Sequence, residues 1–399
     1  MSFPKTERIL FFLVILFIST QLGKHFWPDF SYLYSLKVDY FSPVIYFWDL
    51  LLVALIVIWV KNKPLLNKQA ILVFFIFILS QEISLFSAEN LGAGLVRLEQ
   101  LILIGFLGIY LASKKINDYI DILRRSLVIT LIFQGLLSIS QILIGKSFGF
   151  WVLGERTFTM STPTIAKFNW FGQIILRPYG TFSHPNVLAG FMVVLLPLIV
   201  FLNSSYKKKY EIFIMILSII LSFSRTAILA LIIGGLVVFK KNIMVVFIIL
   251  ILLAPILMVR FNSIFNFDNL SLVRREQLNL VAISDFNKSP FFGVGLNNFI
   301  NNMAKSNIIA GPVRFLQPVH NILLLTLSET GVVGLAGLII LMGFPIIRLW
   351  RNKASSYCMV LFYCWVVIIF LGMFDHYFLT IPQGQRLFFL IWGLSLARL

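Results

Sequence analysis

The stretch EIFIMILSIILSFSRTAILALIIGGLVV, residues 211–238, decides the fold. Two apolar runs flank Ser224-Arg225-Thr226. Taken as one helix, the stretch is too long for a single bilayer crossing, which needs about 20 apolar residues. An arginine placed among hydrocarbon is costly unless it faces a cavity or reaches the interface. The segment is therefore expected as two short spans that turn at the arginine. Working outward, comparable apolar runs recur at 9–22, 43–60, 69–86, 96–112, 126–144, 184–202, 243–259, 320–347, 356–374 and 386–398. The expected fold is all-α: one polytopic membrane domain over 1–399, a bundle of about twelve transmembrane helices. Met1 to Arg8 and the run behind them lack a small-x-small cleavage site, so that run is expected as a retained first helix.

Composition agrees. Of 399 residues, 59% are hydrophobic and 12% charged, roughly half the charged fraction of soluble domains. Forty-one Phe and eight Trp suit a lipid-facing surface with aromatic belts. The net charge of +17 would suggest nucleic acid on a soluble chain. Here basic residues that collect in cytoplasmic loops account for much of it, and no nucleic-acid partner is expected. Cys358 and Cys364 fall in one apolar run and are expected as small core residues. No Cys or His cluster has metal-ligand spacing in the sequence.

Basic connectors at Lys61–Lys68, Ser113–Arg125, Asn203–Tyr210, Lys240–Asn242 and Arg348–Lys353 fall on one side if the spans alternate, together with Lys5 and Arg8. That places both termini in the cytoplasm. Two long loops, 145–183 and 260–319, then face outward, and loops of that length in a compact protein are usually functional. The outer side also carries Arg97, Arg156, Arg177, Arg225, Arg260, Arg274, Arg275, Arg314 and Arg386, which the positive-inside rule does not predict. Arginine's planar fork suits phosphate or carboxylate, so the outer face is expected to hold an anion. Pairing with lipid headgroups, or with Glu155, Asp268, Glu276 and Asp285, is the competing reading.

Several motifs could carry chemistry. In Arg177-Pro-Tyr-Gly-Thr-Phe-Ser-His-Pro-Asn186, the prolines and glycine prevent regular helix before a span, with Ser183 or Asn186 as expected cap. The motif is either an anion site at a helix N-terminus or a tight re-entry turn. His320 opens a span after the second long loop and is either a general base or a structural histidine. Glu329, inside the same apolar helix, is expected to be paired, with an arginine as the candidate partner. Phe292-Gly-Val-Gly-Leu-Asn-Asn298 is expected as a backbone turn, not a dinucleotide fingerprint. Asp375-His376 and Gln383-Gly-Gln-Arg386 are expected as a short outer turn, either a polar wall of the same vestibule or only a turn. Arg97, Glu99, Gln81 and Glu82 are expected as a buried polar network.

Arg-x-x-Gly-Thr-Phe-x-His-Pro-Asn at 177–186, Ser-Arg-Thr at 224–226, Gly-Val-Gly-x-Asn-x-Phe at 293–299 and His-Asn-x9-Gly-x-x-Gly at 320–334 together resemble the O-antigen ligase/polymerase superfamily. The resemblance covers mainly 170–350. It implies a bacterial inner-membrane enzyme of lipopolysaccharide and cell-envelope polysaccharide biosynthesis, with its site facing the periplasm or exterior. A large outer loop would cap a lipid-accessible groove. A glycan would pass from undecaprenyl pyrophosphate to an acceptor hydroxyl, on a lipid A-core or another lipid-linked repeat, without cofactor or metal. His320 would take the acceptor's proton, and Arg177, Arg225 and Arg314 would surround the leaving pyrophosphate. Arg274, Arg275, His184, Asn186, Asn321 and Glu329 would contact pyrophosphate or glycan. A single displacement predicts inversion. The motifs do not separate ligase from polymerase, or from transfer to protein. A transporter or flippase of an anionic lipid-linked glycan, and a structural scaffold, are the alternatives from other classes.

Overall fold

The computed structural model describes residues 4–203, 210–238, 270–306 and 315–398, with two isolated positions, 254 and 258. The expected span 243–259, Arg260 and Arg314 lie outside the described residues. The helices are α1 (Lys5–Leu16), α2 (Phe47–Lys61), α3 (Lys68–Glu82), α4 (Leu91–Ala112), α5 (Ile116–Ile144), α6 (Pro185–Leu202), α7 (Tyr210–Leu221) and α8 (Arg225–Val238). There follow α9 (Leu270–Lys288), α10 (Phe299–Lys305), α11 (Ile322–Arg351), α12 (Ser356–Gly372), α13 (Tyr377–Thr380) and α14 (Pro382–Leu396). Among the described residues, five segments are long and apolar enough to cross a membrane: Lys68–Ser87, Leu91–Ala112, Ile116–Ile144, Pro185–Leu202 and Ile322–Arg351. Shorter apolar helices stand at Tyr210–Leu221, Arg225–Gly234 and Ser356–Gly372. The chain is a mostly helical integral membrane protein.

The break at Ser224-Arg225-Thr226 falls where the charge requires it. Helix α7 ends at Leu221, Phe223 takes a positive φ of 52°, and α8 starts at Arg225. Elsewhere the helices depart from the apolar runs for visible reasons. The first helix stops at Leu16, not 22, because the backbone beyond it is recruited by other elements. Thr181 Oγ1 donates to the Ser19 carbonyl at 3.0 Å, and Arg386 Nη1 to the Thr20 carbonyl at 2.6 Å. Helix α5 begins at Ile116, so the basic connector Ser113–Arg125 is mostly helix. Ile116, Tyr119 and Leu123 are buried while Asp118, Asp121 and Arg125 point out, an amphipathic stretch that lengthens the helix beyond the apolar run. Gln383 to Arg386 belong to α14, not to a turn, because Pro382 at its first position starts the helix.

Glycines allow a close helix crossing. A Cβ on Gly393 would lie 2.6 Å from the Gly108 carbonyl, so α4 and α14 meet backbone to backbone. Arg386 is fully buried in this region, its guanidinium 4.4 Å from the Trp48 ring centre. It is a structural pin between α14, α2 and the end of α1, and no part of an outer anion surface.

Helix α11 is broken at Gly331, where φ is 62° and ψ −164°. The break frees backbone groups that residues 290–295 satisfy. Val294 and Gly295 N–H donate to the Ser328 and Glu329 carbonyls at 3.0 and 2.8 Å. In return, the Val332 and Val333 N–H groups donate to the Pro290 and Phe291 carbonyls at 2.9 and 3.2 Å. Such non-helical backbone inside a membrane protein needs this kind of internal pairing. The contact leaves no room for side chains: a Cβ at Gly293 would sit 2.3 Å from the Glu329 carbonyl carbon, and one at Gly331 2.3 Å from that of Phe291.

Among the described residues, three antiparallel two-stranded sheets, two of them hairpins, cap the bundle, which the apolar pattern did not anticipate. β1 (Gly23–His25) pairs with β4 (Val44–Tyr46), β2 (Tyr32–Leu33) with β3 (Leu36–Lys37), and β5 (Lys167–Trp170) with β6 (Gln173–Leu176). The first two pairs fold the segment between α1 and α2 over the site. The third lies in the long loop between α5 and α6.

Candidate functional site

A cavity of about 910 Å³ lies among these caps. Its walls come from the segment 21–46, from Arg97 and Gln100 of α4, from the loop 151–187, from Leu316, Gln317 and His320, and from 375–383. The chain has four histidines, and all four, His25, His184, His320 and His376, line it.

The stretch 177–186 builds one wall. His184 is the N-cap of α6: its Nδ1 accepts from the Asn186 N–H at 3.1 Å, with Pro185 as first helical residue. The cap is thus neither Ser183 nor Asn186. That frees the Asn186 side chain to bridge. Its Oδ1 accepts from Arg177 Nη2 at 2.8 Å and its Nδ2 donates to Asp375 Oδ2 at 3.3 Å. Arg177 is itself buried and donates through Nε to the Ser222 carbonyl at 2.8 Å. The 177–186 motif is therefore tied to the turn before Arg225 and to the carboxylate of the 375–376 turn. The fold brings three of the sequence motifs together here.

His320 stands where these meet. Its ring lies 5.1 Å from that of His376, edge to face. One nitrogen from each histidine and a carboxylate oxygen of Asp375 all fall within 4.8 Å of one another. His376 is held by a 2.6 Å hydrogen bond between its Nδ1 and Thr380 Oγ1. The 375–376 turn is thus a wall of the vestibule, and its two side chains reach His320. Residues far apart in the chain produce a cluster that no spacing rule finds in the sequence.

The electrostatics follow from burial. Loss of water, reinforced by the Arg177 charge, drives His184 to about 3, and burial drives His376 to about 3 against the pull of Asp375. Burial likewise lowers His320, again against Asp375. Burial opposes the charge on Asp375, but the positive surroundings set by His376, His320, Arg275 and His184 outweigh it and hold its carboxyl below the usual value. At neutral pH the site holds neutral imidazoles facing a carboxylate.

The remaining expected residues divide. Arg275 donates to the Phe374 carbonyl at 3.1 Å, next to Asp375, and lies within electrostatic reach of Arg225, His184 and His320. Arg274 turns to Gln277 at 3.4 Å and to the face of Phe315. Asn321 caps α11, accepting from Leu323 and Leu324 N–H at 2.9 and 3.0 Å. Glu329 is buried below the site, accepts from the Phe299 N–H at 3.3 Å and feels Arg97. Neither Asn321 nor Glu329 lines the cavity. Glu155 does line it, but its carboxylate accepts from Gln141, Phe148 and Phe150, organising its own loop. Of the expected polar network, Arg97 and Gln81 are buried, whereas Glu82 and Glu99 are exposed, pointing off the opposite faces of their helices. Arg97 donates to the Leu379 and Thr380 carbonyls at 3.2 and 2.8 Å, holding the segment that carries His376.

The caps thus enclose a polar cavity lined by four histidines, with Arg97 and Arg156 in its wall. Residues 212–339 match the family model described as O-antigen ligase. The match spans Ser224-Arg225-Thr226, the Gly-Val-Gly turn and the His320-Asn321 motif, and it bears out the resemblance to the O-antigen ligase superfamily. Members of that family are glycosyltransferase-like ligases and polymerases, and their substrates are lipid-linked glycans. The search of curated proteins finds no match.

Proposed function

We propose that the chain is an O-antigen ligase-like transferase that moves a glycan from undecaprenyl pyrophosphate to an acceptor hydroxyl at the outer face of the cytoplasmic membrane. The observation that carries this is the pairing of neutral His320 with Asp375 on the wall of a cavity of about 910 Å³, with Arg275 within electrostatic reach of both and Arg225 within reach of Arg275. Arg225 and Arg275 lie within electrostatic reach of each other, and two such cations together favour an anion placed beside them. A pyrophosphate is such an anion, and its charge grows as the glycosyl bond breaks, so fixed cations there favour the transition state over the ground state.

The acceptor enters through the polar cavity. His320 takes the proton from its hydroxyl as that oxygen attacks the anomeric carbon. Asp375 stabilises the imidazolium that results, and Asn186 and Arg177 hold Asp375 and the 222–225 turn in place. The bond to pyrophosphate breaks on the opposite face of the sugar, so one displacement inverts the anomeric configuration. Lipid pyrophosphate leaves against Arg225 and Arg275.

In proteoliposomes with a lipid-linked donor, Arg225→Ala and Arg275→Ala should each lower kcat about 10²–10³-fold, as loss of one fixed donor to a developing anion does. Asp375→Asn should cost roughly 10²-fold through a misplaced base. Wild-type rates in both arginine variants would remove the pyrophosphate assignment. An acceptor panel of lipid A-core and a second lipid-linked repeat then separates ligase from polymerase.

A further inference from the structure

We propose that His320, Asp375 and His376 bind a divalent transition-metal ion, zinc above all, as a three-ligand site whose fourth position opens on the cavity. Two imidazole nitrogens and one carboxylate oxygen lie mutually within 4.8 Å. That donor set suits zinc, and three protein ligands with one open position is the arrangement of exchangeable rather than structural sites. Bonds of ~2.0–2.2 Å require tetrahedral donors about 3.3 Å apart, so the side chains close on the ion by small rotations.

Three observations make the cluster more than a chance of proximity. The buried His320 Nδ1 makes no well-formed hydrogen bond among the described residues, although the Pro318 backbone lies near enough to the ring to favour its charged form, and a metal would satisfy that nitrogen. His376 is fixed through Nδ1 by Thr380 Oγ1, which orients the ring and leaves its other nitrogen for an ion, as outer hydrogen bonds do in metal sites. Asp375 is positioned by Asn186 Nδ2 and by the His376 N–H at 2.9 Å, with lone pairs to spare. Arg275 nearby opposes a dication, so the ion binds reversibly and more weakly than in a structural zinc site.

The consequence rests on the proposed transfer reaction: an ion on His320 takes the lone pair that would accept the acceptor's proton, and zinc inhibits. The binding itself is tested without turnover. Tag-free protein in detergent is titrated with cobalt(II) chloride and the visible d–d absorption is read, with zinc chloride as competitor. The expected result is one cobalt per chain, displaced by zinc. Binding should be lost in His376→Ala, and in His376→Gln, which keeps a hydrogen-bonding amide beside Thr380. It should be retained in His25→Ala, a cavity histidine outside the cluster. No cobalt spectrum in wild type overturns the site, as does equal loss in His25→Ala and both His376 variants. Cobalt binding together with zinc-insensitive transfer leaves the metal site standing and overturns His320 as the base.

Discussion

His184 and His376 are each held near 3 by burial, and both protonate near 6.5 when the chain is unfolded. Between those values the unfolded chain binds more protons, so stability is fully present above pH 6.5 and is lost as pH falls toward 3. Each histidine contributes a slope of up to about 1.4 kcal/mol per pH unit in that window. The groups that face them, Arg177, His320, Arg275 and Asp375, are part of the same balance. The melting temperature in detergent should therefore drop steadily from pH 7 to pH 5, and His376→Gln should flatten that drop. A melting temperature independent of pH would mean that these rings are wet. For transfer, a base lowered below 6.5 places the acid limb of kcat/KM below that value. An acid limb centred above 6.5 would point to another base. At this scale the sequence marked His320 and the 177–186 motif clearly, because prolines, glycines and charges stand out against apolar runs. It did not mark His25 or the cap role of His184, since neither burial nor a side-chain partner leaves a local signal.

At the scale of elements, the break in α11 joins two motifs that the sequence keeps apart. Residues 320–334 and 290–299 look like separate motifs in the sequence, and they are two halves of one backbone contact. Gly331 in the left-handed region and Gly293 against the Glu329 carbonyl let the loop and the broken helix exchange four hydrogen bonds. Gly331→Ala should lose about 1–3 kcal/mol from the backbone conformation alone, with further loss from the clash with Phe291. A thermal melt in detergent checks this, and a melting temperature equal to wild type would mean that the loop detaches without consequence. The break was hidden in the sequence because the hydropathy of Ile322–Arg351 is continuous, and nothing along the chain singles out Gly331 from Gly334, Gly337 and Gly343. The hairpins were hidden for a related reason. Segments 23–42 and 167–176 read as connections between spans, and 44–46 as the start of a span, whereas their strand pairing is set by the tertiary surface beneath them.

For the whole molecule, apolar runs and the arginine at 225 fixed the class of fold, because hydrocarbon imposes length and charge rules that soluble folds escape. Span ends were less legible. Ser19, Thr20 and Arg386 trade hydrogen bonds across distant elements, and no window along the chain contains those partners. The central claim is that these outer elements converge on His320 to perform glycosyl transfer. The most direct measurement is transfer by purified protein in proteoliposomes supplied with undecaprenyl-pyrophosphate glycan and an acceptor, without ATP, for wild type and His320→Ala. The account predicts multiple turnovers in wild type, an inverted product linkage and loss of transfer in His320→Ala with folding intact. Equal turnover in the two proteins, or retention of configuration, would contradict it.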